Sequence, residues 1–431
     1  MSRALTIIAE IAPGARPALD AALATIAADL HGNDVLRPGT LPATHFCRWV
    51  IVDDRRGELP ALLVMESNHD GDARGYLAAL AAAAPAGLDA LFGCCVAYPA
   101  AGAADAAAFV AWARARSHRA AAFYRAYPGV TQAQVVNDAA VHDGIRAFLD
   151  AHRDELIGLA PVEVHARIRA HLRELARHRG LDITPQGDGE AAIALRKVGV
   201  YVAVAVALVL ALALLPVTAP LFAWAYVTMR RKEQTDVPAR YPHPVRDPDG
   251  LRADEDHVIQ NQLTHVVDVK PGRFRLGLLR VVLFAIDVLA RVWFVRGDLG
   301  GIVTIHFARW VVLPDRRPGI ATPRHRLLFF SNYDGSWEAY LGEFIDRASG
   351  GLTAVWSNTD GFPRTTKLKE QGADDEETFK NWTRDHQIPT QVWWSGVPTA
   401  TVQNVRNDVW IRRRLDRPMT EPELDQWLSQ L

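Results

Sequence analysis

The chain has 431 residues, of which 49% are hydrophobic, and its 48 basic side chains nearly balance 49 acidic ones. The net charge of −1 gives no overall field that would favour nucleic acid or an acidic partner. The three cysteines have neither the number of a disulfide framework nor the spacing of a metal site, and no secretory signal pattern opens the chain, which together favour reduced thiols in the cytoplasm.

Residues 1–100 predict a ferredoxin-like domain. Runs of β-branched and aromatic residues predict strands at 4–12, 45–52, 61–66 and 91–98. Apolar residues at helical spacing predict helices at 16–30 and 76–91, so the order is βαββαβ. Residues 101–190 follow as a helical tail and insertion, in which Pro128 and Pro161 predict breaks.

A central segment, 197–229, predicts contact with a membrane. No charged residue occurs between Lys197 and Arg230, a length sufficient to cross a bilayer. Pro216 and Pro220 permit a bend, and basic residues flank both ends almost equally, so the segment is expected to enter the bilayer and return. A buried core helix is the alternative. Residues 230–257 form a linker.

Residues 258–364 predict a second domain of the same order, followed by a C-terminal arm at 365–431. Its strands are predicted at 262–269, 302–313, 326–330 and 352–356, and its helices at 274–294 and 337–345. In the first of these helices Arg280, Asp287 and Arg291 share one face of an otherwise apolar stretch. That pattern is typical of an amphipathic helix lying at a membrane interface.

A repeated motif indicates that the two domains are copies. Residues 45–56 and 306–317, which are 306 − 45 = 261 positions apart, agree at eight of twelve positions. A period of this length indicates a duplicated domain. The expected fold class is therefore α+β: tandem duplicated ferredoxin-like domains with helical tails and a central membrane segment. The copies are expected to pair as an intramolecular pseudo-dimer on one side of the membrane.

The repeated positions supply the candidate site residues. Strand alternation places His45 and His306 with the Trp of each motif, and Arg48 and Arg309 on the opposite face. Either these residues serve shared chemistry, or the aromatic rings fill the core and each Arg pairs with a carboxylate.

A second repeated motif, Ser-Asn-x-Asp-Gly, contains Asp70 and Asp334. Each Asp is expected to cap the helix that follows or to act as an acid, base or ligand. A third occurrence, with Asp360, has no counterpart in the first copy. Because a common fold does not explain a residue present in one copy only, Asp360 is the better candidate for a site.

Two ferredoxin-like units with an Asp-Gly motif and a nearby Arg resemble the dimeric α/β-barrel superfamily, and within it the dye-decolourising haem peroxidases. The resemblance implies haem as cofactor. It also implies a distal Asp at Asp334 or Asp70 and a distal Arg at Arg309 or Arg48. The motif of this chain begins with Ser67, Ser331 or Ser357, whereas the motif of the peroxidase family begins with Gly. The proximal haem ligand is carried over to His386.

Two functional hypotheses follow from these observations. The first is a membrane-associated oxidoreductase that binds haem or resembles a peroxidase. The alternative is a non-catalytic, membrane-associated scaffold or a module that binds a lipid-like ligand. A metal-dependent hydrolase is disfavoured because no His and Asp spacing resembles a known metal site. The expected partners are the membrane and the second copy, with both copies on the cytoplasmic side and no nucleic acid bound.

Overall fold

A computed structural model describes residues 2–41, 43–184, 190–235, 250–251, 255–292, 299–315 and 324–431. These residues form an α+β fold with antiparallel sheets. The chain divides into two compact units. The first comprises residues 1–132 and 237–402, and the second comprises residues 133–236 and 403–431.

Strands occur within 2–125 and 260–395, and a run of consecutive helices lies between these two parts. The strands are β1 Ser2–Glu10, β2 Thr44–Val52, β3 Leu62–Asp70, β4 Ala122–Arg125, β5 Gln260–Asp268, β6 Ile305–Asp315, β7 Arg324–Asp334, β8 Thr365–Thr366, β9 Glu370–Gln371 and β10 Val392–Ser395. The helices are α1 Arg16–Ala28, α2 Ala73–Ala83, α3 Pro85–Phe92, α4 Ala106–Ala115, α5 Gln132–Ala151, α6 Arg153–Leu156, α7 Pro161–Arg179, α8 Glu190–Ala213, α9 Leu215–Thr235, α10 Arg273–Val292, α11 Trp337–Trp356, α12 Glu376–His386, α13 Val402–Arg414 and α14 Glu421–Leu428. Short 3-10 helices lie at Pro38–Thr40, Gly102–Ala104 and Gly372–Asp374.

The first unit contains a pair of four-stranded sheets among its described residues. Sheet 1 has the order β1-β3-β2-β10, and sheet 2 has the order β4-β6-β7-β5. Their registers correspond, since Leu5 lies opposite Ser67 in sheet 1 and Leu263 lies opposite Ser331 in sheet 2. Runs of β-branched and aromatic residues, such as 49–52 in β2, favour these strands.

Each sheet takes one edge strand from the other half of the chain. Strand β10, near the C-terminus, pairs with β2 of sheet 1, and β4, near residue 122, pairs with β6 of sheet 2. Before it reaches sheet 2, the segment at 116–118 also runs beside β1, where Ile8 N donates to Arg116 O at 3.0 Å. The same extended segment therefore borders both sheets.

Alternate residues of the strands face different cores. Those on the outer face of sheet 1 pack against α1 to α4 and include Leu5, Ile7, Trp49, Ile51 and Met65. Those on the inner face pack against sheet 2 and include Ile8, Val50, Val64, Val311 and Leu328. Burying each aliphatic side chain stabilises the fold by roughly 1.5–3 kcal/mol, so the inner core holds the two sheets together.

The second unit is a helical cluster. Its core joins residues of α5, α7, α13 and α14, among them Ile145, Ile168, Ile411 and Trp427. Within it, His142 Nδ1 lies 2.6 Å from Asp408 Oδ1, both buried. Helix α6 ends at Leu156 and α7 begins at Pro161, so the break predicted at Pro161 is confirmed.

The predicted strands at 91–98 and 352–356 are wrong. In place of the first, an isolated bridge joins Cys95 to Ile11, and residues 352–356 lie inside α11, with a bridge from Thr359 to Val269. The predicted helix 76–91 is two helices, because Pro85 starts α3. The short edge strands β4 and β10 were not predicted, since four residues are too few for a periodic pattern.

The predicted membrane segment forms α8 and α9. Among the described residues no single helix has both the length and the apolar composition needed to cross a membrane. Two helix pairs reach that length only together: Tyr201–Leu210 with Leu215–Thr235, bent by 79°, and Ala73–Ala83 with Pro85–Phe92, bent by 102°. The break falls just before Pro216, whereas Pro220 lies inside α9.

His69 makes the fold sensitive to acid. Its ring stacks on Tyr76 with a centroid separation of 3.9 Å, and burial lowers its pKa from 6.5 to about 3, with a further contribution from Arg309. In the unfolded chain His69 binds a proton below pH 6.5, whereas in the folded chain it stays neutral until the pH is near 3. The contribution of neutral His69 to the free energy of unfolding is therefore fully present above pH 6.5 and is lost as the pH falls from 6.5 towards 3. In sheet 2 the corresponding stack joins Tyr333 and Tyr340.

We predict that His69→Phe reduces acid destabilisation. Between pH 7 and pH 5 the free energy of unfolding should fall by about 2 kcal/mol more in the wild type than in the variant. Denaturant titrations at both pH values measure this difference. His31→Phe, at an exposed position, is the control. Equal pH dependence of wild type and His69→Phe would contradict the prediction.

Candidate functional site

A β-bulge turns the repeated histidines towards the space between the sheets. The register shifts between Thr44 and Phe46 in β2, and the same shift occurs around His306 in β6. The His45 ring lies 5.3 Å from Phe307, and the His306 ring lies 5.2 Å from Phe46. Strict alternation, which grouped each His with the Trp of its motif, is therefore wrong at this residue because the bulge inserts an extra residue.

Each histidine pairs with the aspartate of the second motif. His45 Nε2 lies 3.2 Å from Asp70 Oδ1, and His306 Nε2 lies 2.7 Å from Asp334 Oδ1. The other carboxylate oxygens accept backbone N–H groups, from Gln132 to Asp70 at 2.7 Å and from Val402 to Asp334 at 2.7 Å. We call these four residues the His–Asp pairs.

The aspartates do not cap the helices that follow them. Asp72 caps α2 by accepting the backbone N–H groups of Arg74 and Gly75, and Ser336 caps α11. For Asp70, burial acts to raise the pKa. The hydrogen bond and charge of His45, together with the Gln132 N–H group, outweigh it and hold the pKa below its usual value. The prediction that Asp70 and Asp334 cap the helices that directly follow them is therefore wrong. Each aspartate instead accepts a backbone N–H group from a distant part of the chain.

Tyr127 joins one of the two pairs. Its hydroxyl lies 3.0 Å from His306 Nδ1, and burial together with the charge of Asp334 raises its pKa well above 10. The two ring nitrogens of His306 are therefore held by different groups, Nδ1 by the Tyr127 hydroxyl and Nε2 by Asp334. This chain of Tyr127, His306 and Asp334 fixes the orientation of the imidazole.

The two repeated arginines cross between the sheets. From β2, Arg48 Nη1 donates to Leu263 O at 3.0 Å and Nη2 donates to Ser331 O at 2.9 Å, both in sheet 2. From β6, Arg309 makes the corresponding bonds to Leu5 O and Ser67 O of sheet 1, each at 2.8 Å. The arrangement is reciprocal, since one guanidinium from each sheet donates hydrogen bonds to carbonyl groups of the other sheet.

Glu66 is the shared counter-ion of this arginine clamp. Its Oε2 lies 2.9 Å from Arg48 Nε, and its Oε1 lies 2.5 Å from Arg309 Nη2. All three side chains are at most 1% exposed. Burial lowers the pKa of Arg48 and lowers that of Arg309 to about 10, while Glu66 opposes both changes. At the corresponding register position sheet 2 has Phe330, so one carboxylate balances two cations.

Asp360 and His386 line a different feature, a cavity of about 200 Å³. We call it the polar cleft, which also includes Asp54, Arg56, Asp268 and Arg324. Arg56 Nη2 lies 3.2 Å from Asp268 and 3.4 Å from Asp360. Burial raises the pKa of Asp360, and the charge of Asp268 raises it further.

The predicted site residues therefore lie at three places. The His–Asp pairs are at one end of the sheets, the arginine clamp lies between the sheets, and the polar cleft is at the other end. Along β7, Asp334 is 334 − 326 = 8 residues from Arg326 of the polar cleft. At about 3.4 Å per residue the two ends are ~27 Å apart.

The residues implied by the peroxidase resemblance do not fit a single haem. His386 lies in the polar cleft, whereas Asp334 and Asp70 are at the opposite end. The His386 ring is 3% exposed, with Nδ1 2.8 Å from Trp382 O. Both candidate arginines are committed to backbone carbonyl groups and Glu66. The cavity of about 200 Å³ is also below the roughly 300–1,000 Å³ typical of small-molecule sites.

Sequence reasoning missed Glu66 and Tyr127. Glu66 directly precedes the Ser-Asn-x-Asp-Gly motif, where the second copy has Phe330, so comparison of the copies was the signal that could have found it. Tyr127 stands beside Pro128, which aligns with Pro398, and the second copy has Val397 at that place. Both residues differ between the halves and both contact repeated residues.

We predict that Glu66→Gln destabilises the protein by about 3–5 kcal/mol, because it leaves two buried cations without a counter-ion. Denaturant titration of the free energy of unfolding measures the loss. The control is Glu58→Gln, which removes a 55% exposed carboxylate that pairs with Arg324 and should cost less than about 1 kcal/mol. Equal effects of the two substitutions would show that Glu66 does not hold the clamp.

Comparison with known proteins does not assign the chain to a family. No protein-family model, no curated protein and no solved structure matches it.

Proposed function

We propose that the protein is a non-catalytic, membrane-associated module whose two ferredoxin-like halves pair within one chain. Support for the pairing comes from the corresponding registers of the two sheets, the same bulge in β2 and β6, and the reciprocal arginine bonds. In each half the strand order and the bridge to the first strand fit a βαββαβ unit with a very short fourth strand.

The observation that carries membrane association is the apolar surface of α8 and α9. Large apolar side chains are exposed throughout 198–227, among them Leu208 at 63%, Leu212 at 63% and Phe222 at 72%. An exposed apolar surface of this length is unfavourable in water and marks a membrane or partner contact. The cluster Arg230, Arg231 and Lys232 follows, as expected for a segment anchored at charged headgroups.

Helix α10 offers a second apolar surface. Val281, Phe284 and Val288 are exposed, with Phe284 at 67%. Arg291, which pairs with Asp287 at 2.8 Å, lies seven residues after Phe284 and therefore on the same exposed face. A face that combines exposed apolar side chains with a basic residue favours a helix lying at a membrane interface.

The proposal is non-catalytic because the repeated polar residues already have structural partners. The arginines bind backbone carbonyls of the opposite sheet, and the His–Asp pairs hold backbone N–H groups. A haem-dependent oxidoreductase has less support, since its implied ligands are divided between two ends of the sheets. We further propose that both halves lie on the cytoplasmic side, with α8 and α9 entering the bilayer and returning.

We predict that the full chain, expressed in bacterial cells, stays with the membrane fraction after carbonate extraction. Leu208→Arg with Leu212→Arg should release it, because each Arg at the centre of an inserted helix costs about 2.5–3.5 kcal/mol. The control is Ile157→Arg with Val162→Arg, at positions that are also exposed, 71% and 60%, but lie outside the segment. Wild-type protein in the soluble fraction would contradict membrane association.

We predict that both flanks of the segment lie on one side. Single cysteines are introduced by Gln186→Cys, outside the described residues, and separately by Gln234→Cys. An impermeant thiol reagent on intact cells should label neither variant, and both should react after lysis. Cys47 and Cys95 are buried, and Cys94→Ser removes the partly exposed native thiol. Labelling of one variant alone would establish a crossing and contradict the same-side arrangement.

A further inference from the structure

The first unit has a second cleft besides the polar cleft. The backbone hydrogen bonds beside the two clefts correspond. Val96 N donates to Glu10 O at 2.8 Å, as Asp360 N donates to Asp268 O at 2.8 Å. We call this second cavity the amphipathic cleft. It has a volume of about 530 Å³ and is defined by Ile8, Glu10, Val96, Arg116, His118 and Leu313.

The two clefts differ in charge balance. In the polar cleft Arg56 and Arg324 each pair with carboxylates, at 2.6–3.4 Å. The amphipathic cleft is lined by Arg116 and Arg326, with Glu10 as its carboxylate among the described lining residues. Arg326 also lines the polar cleft, so Arg116 is the cation that distinguishes the amphipathic cleft.

Arg116 is held in place by uncharged groups, namely two backbone carbonyls and an indole ring. Nη2 donates to Val96 O at 3.1 Å and Nη1 donates to Trp112 O at 3.4 Å, while the guanidinium lies 4.6 Å from the Trp112 ring centroid. Within the described part of the chain no carboxylate forms an ion pair with Arg116. The guanidinium has five N–H donors, so these bonds leave others for a ligand.

The rest of the cleft is apolar. Ile8, Leu62 and Leu313 come from three strands of the two sheets, and Val96, which is 39% exposed, lies at the opening. Burial lowers the pKa of His118, which is therefore neutral at pH 7. The volume lies within the roughly 300–1,000 Å³ of typical small-molecule sites. The cleft thus combines an apolar wall with a cationic edge.

We propose that the amphipathic cleft binds an acyl-chain carboxylate, with the carboxylate at Arg116 and the chain along the apolar wall. A guanidinium matches a carboxylate in a two-point hydrogen bond. Glu10 disfavours a dianion such as a phosphate monoester, because it adds a like charge to the same cavity. The assignment goes beyond membrane association and does not depend on it, since every lining residue belongs to the first unit.

Photo-crosslinking tests the proposal. The purified full chain in detergent micelles is irradiated with a decanoic acid analogue that has a diazirine in its chain, and labelled peptides are identified by mass spectrometry. Labels are expected on peptides containing Ile8, Leu62 or Val96. Decanoate should compete with the probe, whereas decanol should need about tenfold or higher concentration, since a hydrogen bond to a charged group is lost.

Arg116→Gln should reduce labelling of the cleft about tenfold or more. The matched control, Arg56→Gln in the polar cleft, should leave it unchanged. Val96→Trp provides a second variant, because it fills the opening from an exposed position and keeps Arg116; it should also abolish labelling. If Arg116→Gln fails to fold by circular dichroism, Val96→Trp decides.

Unchanged labelling in a folded Arg116→Gln or in Val96→Trp would overturn the proposal. Equal competition by decanol would overturn it as well, because the carboxylate would then contribute nothing. Labels confined to residues 198–229 would also overturn the cleft assignment while supporting lipid contact by α8 and α9. Carbonate extraction tests membrane association by itself, so failure of one proposal is distinguishable from failure of the other.

Discussion

The arrangement of the first unit depends on one buried carboxylate held between two arginines. Glu66 is 1% exposed and contacts Arg48 from one strand and Arg309 from the opposite sheet. Each guanidinium also binds carbonyl oxygens of the sheet it does not belong to. Removing ions from water costs several kcal/mol each, and the network offsets that cost only while the sheets face each other in this register. The clamp therefore couples the two registers.

The clamp also separates the two ends of the sheet pair. At one end the His–Asp pairs bind the backbone N–H groups of Gln132 and Val402, and Tyr127 completes a hydrogen-bond chain on one side only. At the other end lie the polar cleft and the amphipathic cleft. The middle is filled by charged and apolar side chains, so a ligand at one end does not contact groups at the other.

The two halves differ at positions that set the charge of the clamp and of the clefts. Where sheet 1 has Glu66, sheet 2 has Phe330, and where one half has Val96, the other has Asp360. The first difference sets the charge balance of the clamp. The second difference places a carboxylate in the polar cleft and an apolar side chain in the amphipathic cleft, although the backbone contacts at the two positions correspond. A shared fold does not require such differences.

The sequence alone determined the α+β class, six of the sheet strands and the residues repeated in both halves, because alternation, helical spacing and repetition are local patterns. It did not determine that Arg48 and Arg309 reach across to the other sheet, or that Asp334 and the polar cleft, which Asp360 lines, lie at opposite ends of β7, ~27 Å apart. It also missed the exchanged strands β4 and β10, whose four residues gain their partners only from the opposite half. Those features depend on contacts between residues hundreds of positions apart, and only the packing of one sheet on the other decides them.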